Sequence, residues 1–114
     1  MKKTSEETME YVYSFLDQVN KNFQDYCDRA RLGLIKEEHF AVQTIGRKYI
    51  KISQFCGAGK ARSVHSFINA NTGDIYKPAS WKAPAKHARG NIFSHRNGGE
   101  ALAGNGDRHE VRYL

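Results

Sequence analysis

Apolar side chains recur every three or four positions along the first part of the chain. The positions that share this spacing are Met9, Val12, Leu16, Val19, Phe23, Tyr26 and Ala30. This period places them on one face of an α-helix, and Thr4 or Ser5 is suited to cap the first turn. We therefore predict one amphipathic helix over about residues 5–32, with Gly33 as its stop signal.

The predicted helix is long for a chain of 114 residues. At its usual rise per residue it would extend roughly 40 Å, which is more than a small globule needs to cover its own sheet. One interpretation is a helix that lies on the chain's own sheet, and the other is a helix whose end also packs on a partner subunit. The modest core of so small a domain favours both together, so we expect a homo-oligomer.

From His39 onward the apolar period changes from helical to alternating. The alternating segments, which predict four strands, are 40–45, 48–55, 63–70 and 74–77. Short turns separate them, so the strands should pair in chain order as an antiparallel meander over residues 39–77. The whole pattern predicts an α+β fold in one domain (1–114): a long N-terminal amphipathic helix packed on a small antiparallel β-meander, with a short helix after the last hairpin.

That short helix is predicted at about residues 83–89, because Ser80 is suited to cap it and Pro84 to begin it. Its N-terminus would present Lys82 and backbone N–H groups, an arrangement that favours phosphate. The Gly-rich tail, residues 94–114, is predicted to begin as a loop and to dock again near its end.

Charge is distributed unevenly along the chain. Residues 1–38 contain eight acidic and six basic residues, whereas residues 39–114 contain four acidic and twelve basic ones. The net charge is therefore −2 in the first part and +8 in the second, which gives +6 for the whole chain. This excess indicates an anionic partner, which is a nucleic acid, a nucleotide or a phosphorylated metabolite.

Several protein classes do not fit the sequence. It contains no apolar run typical of a signal peptide or a membrane span, so we expect a cytoplasmic protein. Cys27 and Cys56 lack the spacing of a zinc or redox motif and are expected to be buried thiols. Since no set of nucleophile, general base and metal ligands is recognisable, we predict no enzyme activity, no cofactor and no metal.

The basic residues concentrate in residues 77–91, a segment that also contains the only tryptophan and both prolines. We predict that residues 78–93 form a ligand-binding motif, in which Trp81 offers a stacking face and its neighbours offer cations and hydrogen bonds. The candidate ligand-binding residues are Lys77, Ser80, Trp81, Lys82, Lys86, Arg89 and Asn91. The alternative is that Trp81 anchors the core and the basic side chains form a solvated face.

The segment Asn69–Ile92 resembles a family of small tailed-phage proteins. Their shared pattern is a Thr-Gly-Asp hairpin followed by K-x-A-S-W-K-x-P-x-K-x-A-R-G-N-I, which this chain matches from Lys77 onward. That family includes anti-CBASS sponges, which bind cyclic dinucleotide immune signals without cleaving them. The resemblance implies a bacteriophage protein of the infected bacterial cytoplasm, an oligomer with ligand pockets between subunits. The tail departs from the family, which would have a Gly/Pro-Tyr-rich ending in place of Ser94-His95-Arg96-Asn97.

Three functions are compatible with these residues. The first is a viral immune-evasion protein that sequesters cyclic dinucleotide second messengers. The second is a small basic nucleic-acid-binding phage protein, which would use aromatic and basic side chains spread along a strand face, as in Lys48-Tyr49-Ile50-Lys51. The third is a host-takeover module that binds another protein through its long helix.

Overall fold

The computed structural model describes residues 6–30, 38–56, 61–102 and 111. Its elements are α1 (Glu6–Ala30), β1 (Glu38–Ile45), β2 (Tyr49–Cys56), β3 (Ala61–Asn69), β4 (Asp74–Pro78), β5 (Pro84–Asn91) and a short 3-10 helix (Gly99–Ala101). The strands form one sheet in chain order, each antiparallel to the next. The predicted α+β class, with a long N-terminal helix on an antiparallel β-meander, is confirmed, and a short 3-10 helix follows β5.

The core lies between α1 and one face of the sheet. The helix spans Glu6–Ala30 against a predicted 5–32, and the proposed caps at Thr4, Ser5 and Gly33 lie outside the described residues. Its buried side chains are Val12, Phe15, Leu16, Val19 and Phe23. They pack with strand residues that include Phe40, Ile50, Ile52, Ile68 and Ile75. The apolar stripe of the sequence is thus used to cover the chain's own sheet.

The segment after β4 forms a strand, so the prediction of a helix at 83–89 is wrong. Its ends, Pro84 and Asn91, lie opposite Pro78 and Asp74, with irregular register between them. Pairing with β4 gives the backbone partners along the segment, whereas a helix of so few turns leaves most of its terminal N–H and C=O groups unpaired. The meander therefore contains five strands and extends beyond the predicted limit.

The first part of the Gly-rich tail, residues 94–98, is a turn that packs on α1. The Gln18 side chain donates hydrogen bonds to the carbonyl oxygens of Arg96 (3.2 Å) and Asn97 (3.0 Å). In return, Asn97 Nδ2 donates to the carbonyl oxygens of Tyr11 (3.1 Å) and Ile92 (2.7 Å). Amide side chains thus join this turn to the helix at several points.

Near its end the chain docks again, as predicted. Val111 forms an isolated antiparallel bridge with Leu102 and is 2% exposed. The thiols of Cys27 and Cys56 lie outside the side chains that the structure describes. Within the described ranges, no helix has both the length and the apolar character to cross a membrane.

Candidate functional site

The face of the sheet opposite α1 contains a group of aromatic and lysine side chains. Successive residues of a strand point to opposite faces, so the neighbours of the core isoleucines lie on this outer face. Lys51 on β2 pairs with Phe67 on β3, and Phe67 pairs with Tyr76 on β4. Tyr49 lies two residues before Lys51 and therefore shares its face. Three adjacent strands thus contribute to one surface.

The rings on this face contact one another edge to face. The Tyr49 ring centroid is 6.0 Å from that of Phe67 and 6.1 Å from that of Tyr76. Phe67 is only 4% exposed, although it lies on the face away from the helix. Burial raises the pKa of the Tyr76 hydroxyl, and the nearby Asp74 carboxylate and Tyr49 raise it further. Tyr76 is therefore a neutral hydrogen-bonding group at physiological pH.

A tight loop between β4 and β5 presents Trp81 to solvent beside this face. The carbonyl oxygen of Ala83 accepts hydrogen bonds from the backbone N–H groups of Ala79 (2.9 Å) and Ser80 (3.1 Å). The Ser80 hydroxyl accepts one from the Lys82 N–H (3.3 Å), so it stabilises a turn. The predicted helix cap at Ser80 and the helix N-terminus at Lys82 are therefore both wrong. Trp81 is 45% exposed, which excludes the alternative that it anchors the core.

The ammonium of Lys51 joins the loop to the sheet. Its Nζ lies 4.5 Å from the ring centroid of Trp81 and 5.9 Å from that of Phe67. Both distances are within the range of a cation–π interaction. We call the surface formed by Tyr49, Lys51, Phe67, Tyr76 and Trp81 the aromatic–lysine platform. It combines ring faces with a cation, and Lys48 adds a second ammonium 5.4 Å from the Tyr49 ring.

Some of the sequence-predicted ligand-binding residues lie close to the platform. Ser80, Trp81 and Lys82 share the exposed loop, and Lys86 is exposed on β5. In contrast, Lys77 follows Tyr76 on β4 and points to the other face. There it lines a cavity of about 50 Å³ together with the buried His65.

Arg89 and Asn91 are engaged within the hairpin. A guanidinium nitrogen of Arg89 donates to the carbonyl oxygen of His87. Asn91 Nδ2 donates to the carbonyl oxygen of Thr72 (2.8 Å) and to Asp74 Oδ1 (3.1 Å). Asn91 therefore stabilises the turn before β4, at the opposite end of the hairpin from Trp81. Asp74 also stabilises this turn, since it accepts a hydrogen bond from the Thr72 hydroxyl.

A carboxylate fixes the end of β5 to the turn that follows. Glu100 accepts hydrogen bonds from the Asn91 N–H (2.9 Å) and from the Ser94 hydroxyl (2.8 Å). Burial acts to raise the pKa of Glu100. Its net pKa is nevertheless below the ordinary value, because the carboxylate accepts these hydrogen bonds and one from its own backbone N–H, and because the positive charge of Arg96 is near. Glu100 is thus a structural anion.

A larger groove on the helix side has the opposite charge character. Its volume is about 490 Å³, and its lining includes Glu7, Glu10, Tyr11 and His95. Two carboxylates make it unsuitable for a phosphate group. Of the surfaces described, the platform is therefore the better candidate for an anionic ligand.

Lys51, Phe67 and Tyr76 are not among the site residues that the sequence predicts. The alternation in Lys48-Tyr49-Ile50-Lys51 indicates part of this site, because it places Tyr49 and Lys51 on the same face of one strand. The register that brings Lys51 next to Trp81 depends on the pairing of β2 with β3 and of β3 with β4, and no local pattern encodes it.

The chain matches the model of a family of unknown function, DUF7717, over residues 1–113, and it belongs to that family. No curated protein and no solved structure is significantly similar to it. What the site does must therefore be argued from its chemistry.

Proposed function

We propose that this protein binds a cyclic dinucleotide second messenger of bacterial anti-phage defence and sequesters it without cleavage. The observation that supports this most directly is the position of Lys51 Nζ, 4.5 Å from the Trp81 ring on an aromatic sheet face. Bases stack on aromatic rings, and phosphates form charge-assisted hydrogen bonds with ammonium groups. A ligand made of bases joined by phosphodiesters uses both features. The phage and host setting rests on the motif resemblance alone.

In this proposal the ligand contacts the outer face and the adjoining loop. Trp81 stacks on a base, Lys51 and Lys82 pair with phosphate, and Ser80 gives a neutral hydrogen bond. Lys86 is exposed on β5 and adds positive charge nearby. The remaining predicted residues point elsewhere within one protomer. Lys77, Arg89 and Asn91 would contact the ligand only in a pocket completed by a second subunit.

Binding is proposed without turnover because cleavage of a phosphodiester needs more than recognition. It requires an activated nucleophile and stabilisation of the developing charge, commonly by a base together with a metal ion. The platform consists of rings, an ammonium and hydroxyl groups. His87, which is exposed on β5, is the residue of the motif whose side chain could act as a general acid.

The first experiment is a calorimetric titration of the protein with cyclic di-AMP, cyclic di-GMP and an oligonucleotide of mixed sequence. We expect saturable binding of at least one cyclic dinucleotide. The complex is then freed of unbound ligand and heat-denatured, and the released nucleotide is analysed by chromatography. Intact cyclic ligand in stoichiometric amount supports sequestration. Linear product that increases with time and is lost in His87→Ala would show an enzyme instead.

A second candidate function is the binding of single-stranded nucleic acid. The observation that favours it is the position of the partly exposed Tyr49 and Tyr76 on one face of β2 and β4, since sheets with such aromatics stack successive bases. Tight binding of the oligonucleotide, with no binding of either cyclic dinucleotide, would establish this function in place of the first.

A further inference from the structure

We infer that Lys51 determines specificity on the platform, favouring aromatic ligands that have a phosphate over neutral ones. The inference rests on the proposed function, because it concerns the same face. It begins with the position of the Lys51 ammonium, 4.5 Å from the Trp81 centroid and 5.9 Å from the Phe67 centroid. The side chain is partly buried among these rings.

The ammonium occupies a place that a stacked base would need. Aromatic rings that stack lie with their centroids about 4.5–7 Å apart, which is also the range in which Lys51 Nζ lies from Trp81. A base that stacks on this side of Trp81 must therefore displace the ammonium. Displacement removes the attraction between the cation and the ring.

Whether this loss is compensated depends on the ligand. The backbone of Lys51 is held in the sheet by pairing with Thr44 and Phe67, so the flexible side chain moves while its Cα stays in place. A phosphate joined to the stacked nucleoside accepts a charge-assisted hydrogen bond from the displaced ammonium. A neutral nucleoside offers no such acceptor. Lys51 thus opposes neutral ligands and favours phosphorylated ones.

The chain offers a matched control for this argument in Lys48. It precedes β2 directly, and its Nζ lies 5.4 Å from the ring of Tyr49. Lys48→Met removes the same charge from the same region of the molecule but leaves the Lys51–Trp81 contact in place. An effect on ligand affinity that appears in Lys51→Met but not in Lys48→Met is therefore not caused by the loss of positive charge alone.

The experiment compares the affinities of cyclic di-AMP and cyclic di-GMP with those of adenosine and guanosine, measured by equilibrium dialysis. In Lys51→Met we expect nucleoside affinity to rise about twofold to fivefold, as expected when an exposed cation–π contact no longer competes. Cyclic dinucleotide affinity should fall about tenfold or more with the loss of a charged hydrogen bond. Lys48→Met should leave nucleoside affinity unchanged and should lower cyclic dinucleotide affinity less than Lys51→Met does. Lys51→Arg should restore most of the native ratio of the two affinities.

A second readout detects the displacement itself. In the free protein the methylene protons next to Lys51 Nζ lie near the Trp81 ring, so their NMR signals should be shifted upfield and should move in Trp81→Ala. Binding of the cyclic dinucleotide should abolish this shift.

The outcomes separate the inference from the proposed function. If Lys51→Met weakens both ligand classes equally, or leaves their ratio unchanged, the inference is wrong although the protein still binds cyclic dinucleotides. The same holds if the upfield shift persists in the complex. If the native protein binds neither cyclic dinucleotide, the proposed function is wrong and the inference with it. Circular dichroism of each variant confirms that folding is retained.

Discussion

Asn20 on α1 and Phe40 on β1 exchange two hydrogen bonds. Asn20 Nδ2 donates to the Phe40 carbonyl oxygen (2.9 Å), and the Phe40 N–H donates to Asn20 Oδ1 (2.8 Å). A side chain of the helix thus occupies the backbone groups that an edge strand would otherwise present to another strand. The contact fixes both the position of α1 on the sheet and the edge of the sheet.

Asn20→Ala should destabilise the fold by about 2 kcal/mol, because it removes both hydrogen bonds that the Asn20 side chain makes with the Phe40 backbone. Chemical denaturation followed by circular dichroism measures the change. Gln24→Ala is the matched control, since the Gln24 side chain donates to the exposed Asp28 on the same helix and not to the sheet in the part of the chain that the structure describes. If the free energy of unfolding falls no more in Asn20→Ala than in this control, the role of Asn20 in joining α1 to β1 is contradicted.

Trp81→Ala should preserve the fold and weaken cyclic dinucleotide binding about tenfold to a hundredfold, the effect of losing one stacked base. The fold should survive because the ring is 45% exposed on a loop. Circular dichroism and calorimetry measure the two effects. Ile45→Ala, which removes a 53% exposed apolar side chain from β1, serves as the control and should leave binding unchanged. A Trp81→Ala protein that melts early would refute the assignment of Trp81 to a surface site.

Glu100→Gln should lower stability at neutral pH by about 1 kcal/mol, because an ionised acceptor is replaced by a neutral one. The pKa of Glu100 is lowered in the folded protein, so the carboxylate stabilises the fold above its unfolded pKa, and this stabilisation is lost as the pH falls through the folded pKa. The loss of stability in Glu100→Gln, relative to the native protein, should therefore reach its full value above about pH 5 and should decrease below about pH 4. Thermal denaturation of the native protein and of Glu100→Gln across this pH range measures the change, and Glu10→Gln, at an exposed position, is the control. A difference independent of pH would contradict it.

Binding of a cyclic dinucleotide should depend weakly on salt, since only two phosphates are neutralised. A protein that contacts six to ten phosphates of a strand would lose roughly 10³–10⁵ in affinity between 50 and 200 mM salt. Titrations at the two salt concentrations distinguish these cases. A steep salt dependence with tight oligonucleotide binding would support the second candidate function.

Light scattering should give a mass above the 13.0 kDa of one chain, as expected for a homo-oligomer. The apolar stripe of α1 is already buried in the protomer, so an interface on this helix must use other side chains, of which Tyr13 is 50% exposed. Tyr13→Glu should then lower the mass without unfolding the chain. A native mass near that of a single chain at micromolar concentration would exclude the oligomer.

Local patterns were sufficient to predict the helix and the first four strands, because one face of each is buried and the period of apolar residues records which face. β5 was predicted as a helix for a physical reason. Ser80, Pro84 and Gly90 suit the ends of a short helix, and the pairing with β4 that decides otherwise is not a property of the segment itself.

The candidate site was predicted in part for a related reason. Trp81 and Lys82 stand out in the sequence because of their composition, and the structure places both on an exposed loop. Lys51 is 30 residues earlier in the chain and meets Trp81 only through the register of β2, β3 and β4. Arg89 has the right chemistry, but its guanidinium is directed to its own strand.

The hydrogen bonds that the Gln18 side chain donates to the turn at Arg96 and Asn97 have a consequence for cooperativity. They join the helix to a segment about 80 positions later, and Glu100 joins the same segment to β5. Opening the turn alone would break contacts with both α1 and the sheet. Its amide protons should therefore exchange with solvent only when the whole domain unfolds, at the rate of the central strands rather than that of a surface loop.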